Sequence, residues 1–268
     1  MKVRPLYPHA ALLAEEGKGK EEEIESGGRR YVVVSDLHIG LEAELGAKGI
    51  TMQSSLMREM QQELLSLVSR EKAAGLVLLG DIKNTVGATI SKQEWNDIPA
   101  FLKNLSSSGA DVYLVPGNHD SNIRHLVPDN INVATNRGIV IGDTLFVHGH
   151  SMPSDTRSHV RRIVMGHVHP VFSKEGSVIN GERVWISILA KKEAIFPSEQ
   201  GPIDIVVVPS FNRYLYSSGE RLYHYHRRKS VSPITSRIMD SKAVEKCMVI
   251  TLDGSIVGDD ESVLESVF

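Results

Sequence analysis

"YLVPGNHDSN", residues 113–122, runs from an apolar stretch into Pro-Gly and then into three consecutive side chains that can hold a metal or move a proton: Asn118, His119 and Asp120. Tyr113, Leu114 and Val115 suit a buried strand, and Pro116-Gly117 ends it. A polar, ligand-rich turn set directly after a strand therefore decides where else to look.

The same arrangement recurs twice upstream. "YVVVS" (31–35) is a β-branched run suited to a strand buried on both faces, and Asp36 and His38 follow it in "SDLHIG". "GLVLLG" (75–80) is a second such strand, followed at once by Asp81. Between them, residues 54–75 place Leu56, Met60, Leu64, Leu67 and Val68 on one helical stripe. Ser91 and Glu94 form a capping box that opens a further helix, expected to carry Trp95, Ile98, Phe101, Leu102 and Leu105 inward. Strand, helix, strand, helix, strand predicts parallel pairing with right-handed crossovers, which brings the three strand ends together at one carboxyl edge.

After Ile131 the pattern changes. "GIVIGDTLFVHGH" (138–150) reads as a hairpin turning at Gly142-Asp143, and strands follow near 162–165, 183–188 and 203–208 with no long helix between them. A second, largely antiparallel sheet stacked on the first is expected. His148 follows "TLFV", and His167 and His169 follow "RIVM". The last forty residues read as weak strands, with a hairpin around Asp253-Gly254 in "MVITLDGSIVG" (248–258). "EEGKGKEEEIESGG" (15–28) reads as an exposed charged loop.

Asp36, His38, Asp81, Asn118, His148, His167 and His169 thus all stand at strand ends. They offer oxygen and imidazole but no thiolate, a set suited to Mn²⁺, Fe or Zn²⁺. Seven candidates are too many for one tetrahedral site, so two ions are expected, with Asp81 on the middle motif as the bridge. Composition bounds the rest. The 268 residues are 41% hydrophobic, enough for one large α/β domain, and the net charge of −3 gives no global attraction to nucleic acid or membrane. The lone cysteine, Cys247, leaves neither a disulfide framework nor a Cys-rich metal site. The first twenty residues lack the apolar run of a secretory signal, and no apolar run is long enough to span a bilayer. The expectation is a soluble cytoplasmic protein.

Asp-x-His (36–38), Gly-Asp (80–81), Gly-Asn-His-Asp (117–120), His-Gly-His (148–150) and Gly-His-x-His (166–169) occur in this order. Together they resemble the calcineurin-like metallophosphoesterase superfamily. The branch most similar is that of the prokaryotic ICC-like predicted phosphoesterases, on "DLHIGLE", "HGHS", "GHVHP", a "PSFNRYL"-like stretch and a later "SP". The resemblance implies a four-layer α/β/β/α sandwich of two stacked mixed sheets. It would form a single domain over 1–268, with a motif-bearing core over about 30–210 and a C-terminal extension over about 211–268.

The resemblance further implies two divalent ions, Mn²⁺ first, with Fe, Zn²⁺ or Ni²⁺ as alternatives. Asp36, His38, Asp81 and His169 would hold one ion, and Asp81, Asn118, His148 and His167 the other, with His150 as the alternative to His148, which is favoured for its place directly at the strand end. His119 would face the substrate phosphate as an acid, with Asp120 orienting its imidazole. The implied activity is phosphodiester hydrolysis by a metal-bound hydroxide, with DNA as the first substrate and DNA processing or repair as the setting. The alternatives are a phosphatase or cyclic-nucleotide phosphodiesterase on small molecules and, below these, a non-catalytic scaffold. Asn84 departs from the family pattern, which often has a second Asp there.

Asn84, Arg124, His150, Arg157, Arg161 and Arg162 complete the candidates, as substrate contacts. The three last stand just before the strand that delivers His167 and His169, so they are expected to flank the metal mouth. "RYLYSSGERLYHYHRRK" (213–229) interleaves Tyr with basic residues, a composition open to nucleic acid or to an ordinary solvated face. His9, His125, His159, His224 and His226 read as structural, and Asp111 and Asp143 as solvated turn residues.

Overall fold

The structure, a computed structural model, describes residues 1–17, 28–50, 55–154, 159–215 and 232–268. The charged stretch at 18–27 and most of the Tyr-rich basic segment, with Arg157, His224 and His226, lie outside the described residues. The described residues form two sheets. The first contains β1 (Lys2–Pro5), β2 (Leu12–Glu15), β3 (Arg30–Val34), β4 (Gly75–Leu78), β5 (Asp111–Leu114) and β6 (Asn132–Val133), in that spatial order. As the alternation of strands and helices predicts, β3, β4, β5 and β6 are parallel. The antiparallel pairs β1–β2 and β2–β3 extend the sheet at one edge; this N-terminal hairpin was not foreseen, because Pro5, Pro8 and the short run "LLAE" give no period long enough to read.

Period-2 alternation sorts the side chains of these strands into two cores. Val32, Val34, Leu76, Leu78, Val112 and Leu114 face the core of helices α1 (Leu41–Ala47), α2 (Leu56–Arg70) and α3 (Lys92–Ser106), whereas Tyr31, Val33, Val77 and Leu79 face the second sheet. In α2 the buried residues are Leu56, Met60, Leu64, Leu67 and Val68, the stripe expected from the sequence.

The second sheet contains β7 (Ile139–Ile141), β8 (Thr144–Val147), β9 (Arg162–Met165), β10 (Val184–Lys191), β11 (Pro202–Val207), β12 (Val244–Thr251) and β13 (Ile256–Gly258), in the spatial order β13-β12-β10-β11-β9-β8-β7. The hairpins β7–β8 and β12–β13 are antiparallel, as their Gly-Asp and Asp-Gly turns predict. β8, β9 and β11 are parallel to one another, so the sheet is mixed and not simply antiparallel. Phe146, Val164 and Trp185 point at the first sheet; Leu145, Val147, Ile163, Met165, Val184 and Ile186 point the other way, towards α4 (Pro233–Asp240) and α5 (Ser262–Glu265). Helix, sheet, sheet and helix form the four layers expected.

Two details correct the sequence reading. The last forty residues hold helices as well as strands. Ser232 caps α4 by accepting a hydrogen bond from the Ile234 N–H, with Pro233 at the first helical position, so Ser-Pro here starts a helix rather than a strand. In α3 the capping box is present, but Trp95 is 54% exposed. It sits at the margin of the buried stripe, and the inward position of that first turn is taken by Glu94, which is fully buried. Its carboxylate accepts from the backbone N–H groups of Asn84 (3.0 Å), Thr85 (2.8 Å) and Ser91 (2.7 Å) and from the Thr85 hydroxyl (2.7 Å). Burial pushes its pKa up, but these bonds prevail and hold it below the usual range. Glu94 thus closes the 84–91 loop onto the start of α3. No helix among the described residues is long and apolar enough to cross a membrane.

Removing the Glu94 acceptor leaves the Thr85 and Ser91 amides without a partner, and the Asn84 N–H with only its second acceptor, the Ile39 carbonyl (3.1 Å). Glu94→Ala is expected to destabilise the chain by about 1–3 kcal/mol in urea unfolding. Because the folded carboxylate titrates below its unfolded value, the difference from wild type should be full above pH ~4.3 and shrink as the pH falls further. A difference that persists unchanged at pH 3 would assign it to lost packing instead.

Candidate metal centre

The parallel strands set the site. β3, β4 and β5 end in register at Val34, Leu78 and Leu114, so the loops carrying Asp36, Asp81 and Asn118 leave the sheet side by side. β8 and β9 end in register at Val147 and Met165, which brings His148 beside His167, and the Gly166 N–H donates to the His148 carbonyl (3.0 Å). The two sheets meet at this edge: His148 Nδ1 donates across the seam to the Leu79 carbonyl (2.7 Å), which fixes its tautomer and leaves Nε2 for the site.

Asp81 is the point of convergence. Its Oδ1 accepts the His119 N–H (2.9 Å), whereas its Oδ2 faces three imidazoles: His148 Nε2 at 3.3 Å, His38 Nε2 at 3.7 Å and His119 Nε2 at 3.9 Å. Asp36 Oδ1 lies 3.0 Å from His169 Nε2, and the Asp36 Oδ2 accepts the His167 N–H (3.2 Å). Asn118 Oδ1 lies 3.1 Å from His148 Nε2. Asp36, His38, Asp81 and His169 form one group, and Asp81, His148 and His167 another. Within each group the potential ligand atoms lie within 4.8 Å of one another. These are the two sets expected from the sequence, sharing Asp81, with Asn118 beside the second. His150 belongs to neither group; its ring stands 5.3 Å from that of His148 and 6.1 Å from that of His167.

Three observations show that this donor set fits metal ions. His38 is buried with both ring nitrogens lacking a hydrogen-bond partner, a costly state for a polar group unless something binds them. Asp36, His38, Asp81, His167 and His169 all have left-handed backbone (φ 60°, 44°, 50°, 68° and 48°), which non-glycine residues adopt at a cost. Two glycines give the carboxylates room. A Cβ on Gly117 would lie 2.9 Å from the Asp81 carboxylate carbon, and one on Gly166 2.8 Å from Asp36 Oδ2.

The electrostatics agree. Burial pushes the Asp36 and Asp81 carboxyls up, but the neighbouring His169 and His148 charges outweigh it and hold both below their usual range, Asp81 far below. Burial drives His38 down to about 3 and His167 to about 4, which keeps them neutral and able to donate lone pairs. Burial also pushes His148 down, yet Asp81 and Asp36 prevail and raise it to about 9. The carboxylates, in other words, draw positive charge into the seam.

Several expected contacts are placed otherwise. Asp120 does not orient the His119 ring: His119 Nδ1 donates to the Asn84 carbonyl (2.8 Å). The Asp120 carboxylate instead accepts the backbone N–H groups of Ile82 (2.9 Å), Lys83 (3.1 Å) and Gly117 (2.8 Å), pinning the Asp81 loop to the Asn118 loop. Burial and the Asp81 charge raise its pKa to about 6, so at neutral pH it remains a carboxylate and an acceptor. The Asn84 side chain donates to Glu44 Oε2 (2.9 Å), so it serves this site through its carbonyl.

Arg124 and Arg162 are also engaged elsewhere. Arg124 donates to the Val133 carbonyl (3.3 Å). Arg162 pairs with Asp204 (2.8 Å) and the Met1 carbonyl (3.0 Å), and Arg161 follows Val160 just before it. Both stand at the amino end of β9, roughly 10 Å of strand away from the end that delivers His167, so they do not flank the metal mouth. Asp143 is more than a solvated turn residue, since it pairs with the Met1 amino group at 2.8 Å. His9 is structural as expected, paired with Glu63 at 2.6 Å.

Two outcomes follow from this geometry. Wild-type protein should take up two Mn²⁺ in titration calorimetry, and Asp81→Ala should weaken both sites together; a variant that still fills one site with native affinity would remove Asp81 from the bridging position. Asp120→Ala should lower the unfolding temperature and weaken Mn²⁺ uptake, because two loops lose their common anchor. If Asp120→Ala keeps both and changes only turnover of poor leaving groups, its carboxylate acts on the His119 ring after all.

Residues 29–207, well over half of the chain, match the family model for calcineurin-like phosphoesterases. Comparison with curated proteins gives no match. Among solved structures, the nuclease MPE of Pseudomonas putida is 18% identical and aligns over 83% of this chain and 84% of its own, with a TM-score of 0.48. A protein of unknown function from Aquifex aeolicus, also 18% identical, aligns over 56% of this chain and 83% of its own, with a TM-score of 0.37. On the extent of the family match, and with its five motifs gathered at one sheet edge, the chain belongs to the calcineurin-like phosphoesterase family.

Proposed function

We propose that the chain is a dinuclear-metal-dependent phosphodiesterase, with Mn²⁺ as its first candidate metal. One observation carries this reading: Asp81, whose Oδ2 faces three imidazoles, belongs to both ligand groups. Two ions bound there would supply Lewis acidity for the phosphoryl oxygens and for an attacking water.

The chain's own residues do the rest. Asp36, His38 and His169 hold one side of the centre, and Asn118, His148 and His167 the other. Asp81, common to both groups, receives the His119 backbone N–H, so residue 119 is anchored by the carboxylate that would join the two ions. With Nδ1 donating to the Asn84 carbonyl, the His119 Nε2 is the position that exchanges a proton with the leaving oxygen or stabilises its charge. His119 is therefore the catalytic acid in this reading, and Asn84 orients it.

A diester is favoured over a monoester. The charges that act most strongly on Asp36, Asp81, His148 and His167 are those of the cluster's own Asp and His residues. The nearby Lys83 is buried and spends its ammonium on the Gly87 (3.0 Å) and Thr89 (2.9 Å) carbonyls. With the charge of the two cations already shared by the site's own carboxylates, a diester, which brings one negative charge, asks less of the centre than a monoester dianion. DNA is the first polymer to test on the strength of the resemblance, and a cytoplasmic setting fits the single cysteine.

Turnover of bis(4-nitrophenyl) phosphate with Mn²⁺ is expected to exceed that of 4-nitrophenyl phosphate, and single-stranded DNA should be cut under the same conditions. Faster monoester turnover would replace the diesterase with a phosphatase; diester turnover with no cut DNA would leave a small-molecule diesterase. His119→Asn should lower kcat by roughly 10²–10⁴ while metal content stays near wild type, with the smaller loss on nitrophenyl esters. Equal losses on good and poor leaving groups would remove His119 from the acid role.

A further inference from the structure

The family match ends at residue 207, and the chain just beyond it reaches back into the site. Val208 still follows the second sheet, its N–H donating to the Met165 carbonyl (2.7 Å). The chain then crosses to the first sheet. The Phe211 N–H donates to the Ser35 carbonyl (2.8 Å), the Asn212 N–H to the Asp36 carbonyl (3.3 Å), and the Asn212 side-chain Nδ2 to the Leu37 carbonyl (2.9 Å). Three consecutive carbonyls of the Asp-x-His loop are taken by one short segment.

Asn212 is fully buried, and its amide orientation is fixed by chemistry, since Oδ1 accepts the Tyr214 N–H (3.0 Å) while Nδ2 meets a carbonyl. Arg183, at the entrance to β10, anchors the segment in turn by donating to the Ser210 (2.5 Å) and Phe211 (3.2 Å) carbonyls.

The opposite side of the loop is held by the Gly-Asp loop. The N–H groups of Asp36, His38 and Ile39 donate to the carbonyls of Gly80 (3.2 Å), Asp81 (2.9 Å) and Ile82 (2.8 Å). Asp36 and His38 alternate into left-handed backbone, which no regular ladder would maintain. Bonds from both sides keep them there.

A second late residue does the same for the His-Gly-His loop. Ser232 is fully buried; its hydroxyl donates to the Gly149 carbonyl while its oxygen accepts the Ile234 N–H (3.1 Å). It thereby ties the start of α4 to the residue between His148 and His150.

We infer that Asn212 and Ser232 are positioning residues for the metal centre, Asn212 setting Asp36 and His38, and Ser232 setting His148. The inference rests on the two ligand groups of the proposed function. Residues that orient metal ligands without touching the metal characteristically cost 10–100-fold in affinity when removed. Each should therefore act on its own half of the centre.

Mn²⁺ titration of the full chain tests this. Asn212→Ala and Ser232→Ala should each weaken one ion by about 10–100-fold and leave the other within about threefold. In a His169→Ala background, where the site of Asp36 and His38 is already spoiled, Asn212→Ala should have no further effect on the remaining ion, whereas Ser232→Ala should still weaken it. Ser232→Thr, which keeps the hydroxyl, should restore most of the loss. Variants that lower the unfolding temperature of the metal-free chain but bind both ions normally, or that weaken both sites alike, overturn the inference. If Asn212→Ala does not fold, Ser232→Ala decides, and unchanged uptake of both ions by it counts against. Wild-type protein that takes up no Mn²⁺ overturns the metal reading itself, an outcome distinct from normal wild-type uptake with unaffected variants.

Discussion

Two carboxylates, Asp36 and Asp81, are buried in the seam between two sheets, and among the described residues no lysine or arginine forms an ion pair with either. Such a pair repels itself and loses its water, and the surrounding fold is arranged around that cost. The carboxylates favour a protonated His148, and a bound cation would replace that proton at its Nε2 as the compensating positive charge. Backbone N–H groups supply the rest: His119 donates to Asp81 and His167 to Asp36. For those donors to arrive, loops must turn immediately after their strands, which puts the unusual φ values on the very residues that carry the chemistry.

The parallel trio β8, β9 and β11 follows from the same need. An antiparallel neighbour would deliver its following loop to the opposite edge. Parallel pairing in exact register brings His148 and the Gly166–His169 loop to the edge where Asp36 and Asp81 already lie. The long connections that parallel strands require are the structural cost of assembling one centre from two sheets.

Much of this could be read from the residues. Strands that end in Asp-x-His, Gly-Asp and Gly-Asn-His-Asp announce a shared edge once their parallel order is inferred, and the helical stripe of α2 is explicit in its spacing. What escaped was decided by contacts between distant segments. Trp95 fits the apolar pattern of α3, but Glu94 takes the inward place because loop amides 84–91 need an acceptor. Asp120 stands next to His119 in sequence, yet its carboxylate is turned to amides of another loop. Adjacency along the chain likewise suggested that Arg161 and Arg162 stand near His167, whereas a strand lies between them and separates its two ends. The short N-terminal strands carry too few residues for a period to emerge, and only pairing with β3 defines them, whereas the C-terminal hairpin is legible in its Asp-Gly turn.

The bond from His148 Nδ1 to the Leu79 carbonyl joins the two sheets through the side chain whose other nitrogen faces the site. Occupancy of that centre and docking of the sheets are consequently linked equilibria. A cation bound at a hundred times its Kd would add about 2.7 kcal/mol to the folded state by mass action alone, and chelation would withdraw the same amount. Resistance to heat and proteolysis would then depend on the surrounding metal concentration as much as on the polypeptide, and the chain's lifetime would report on whether its centre is filled.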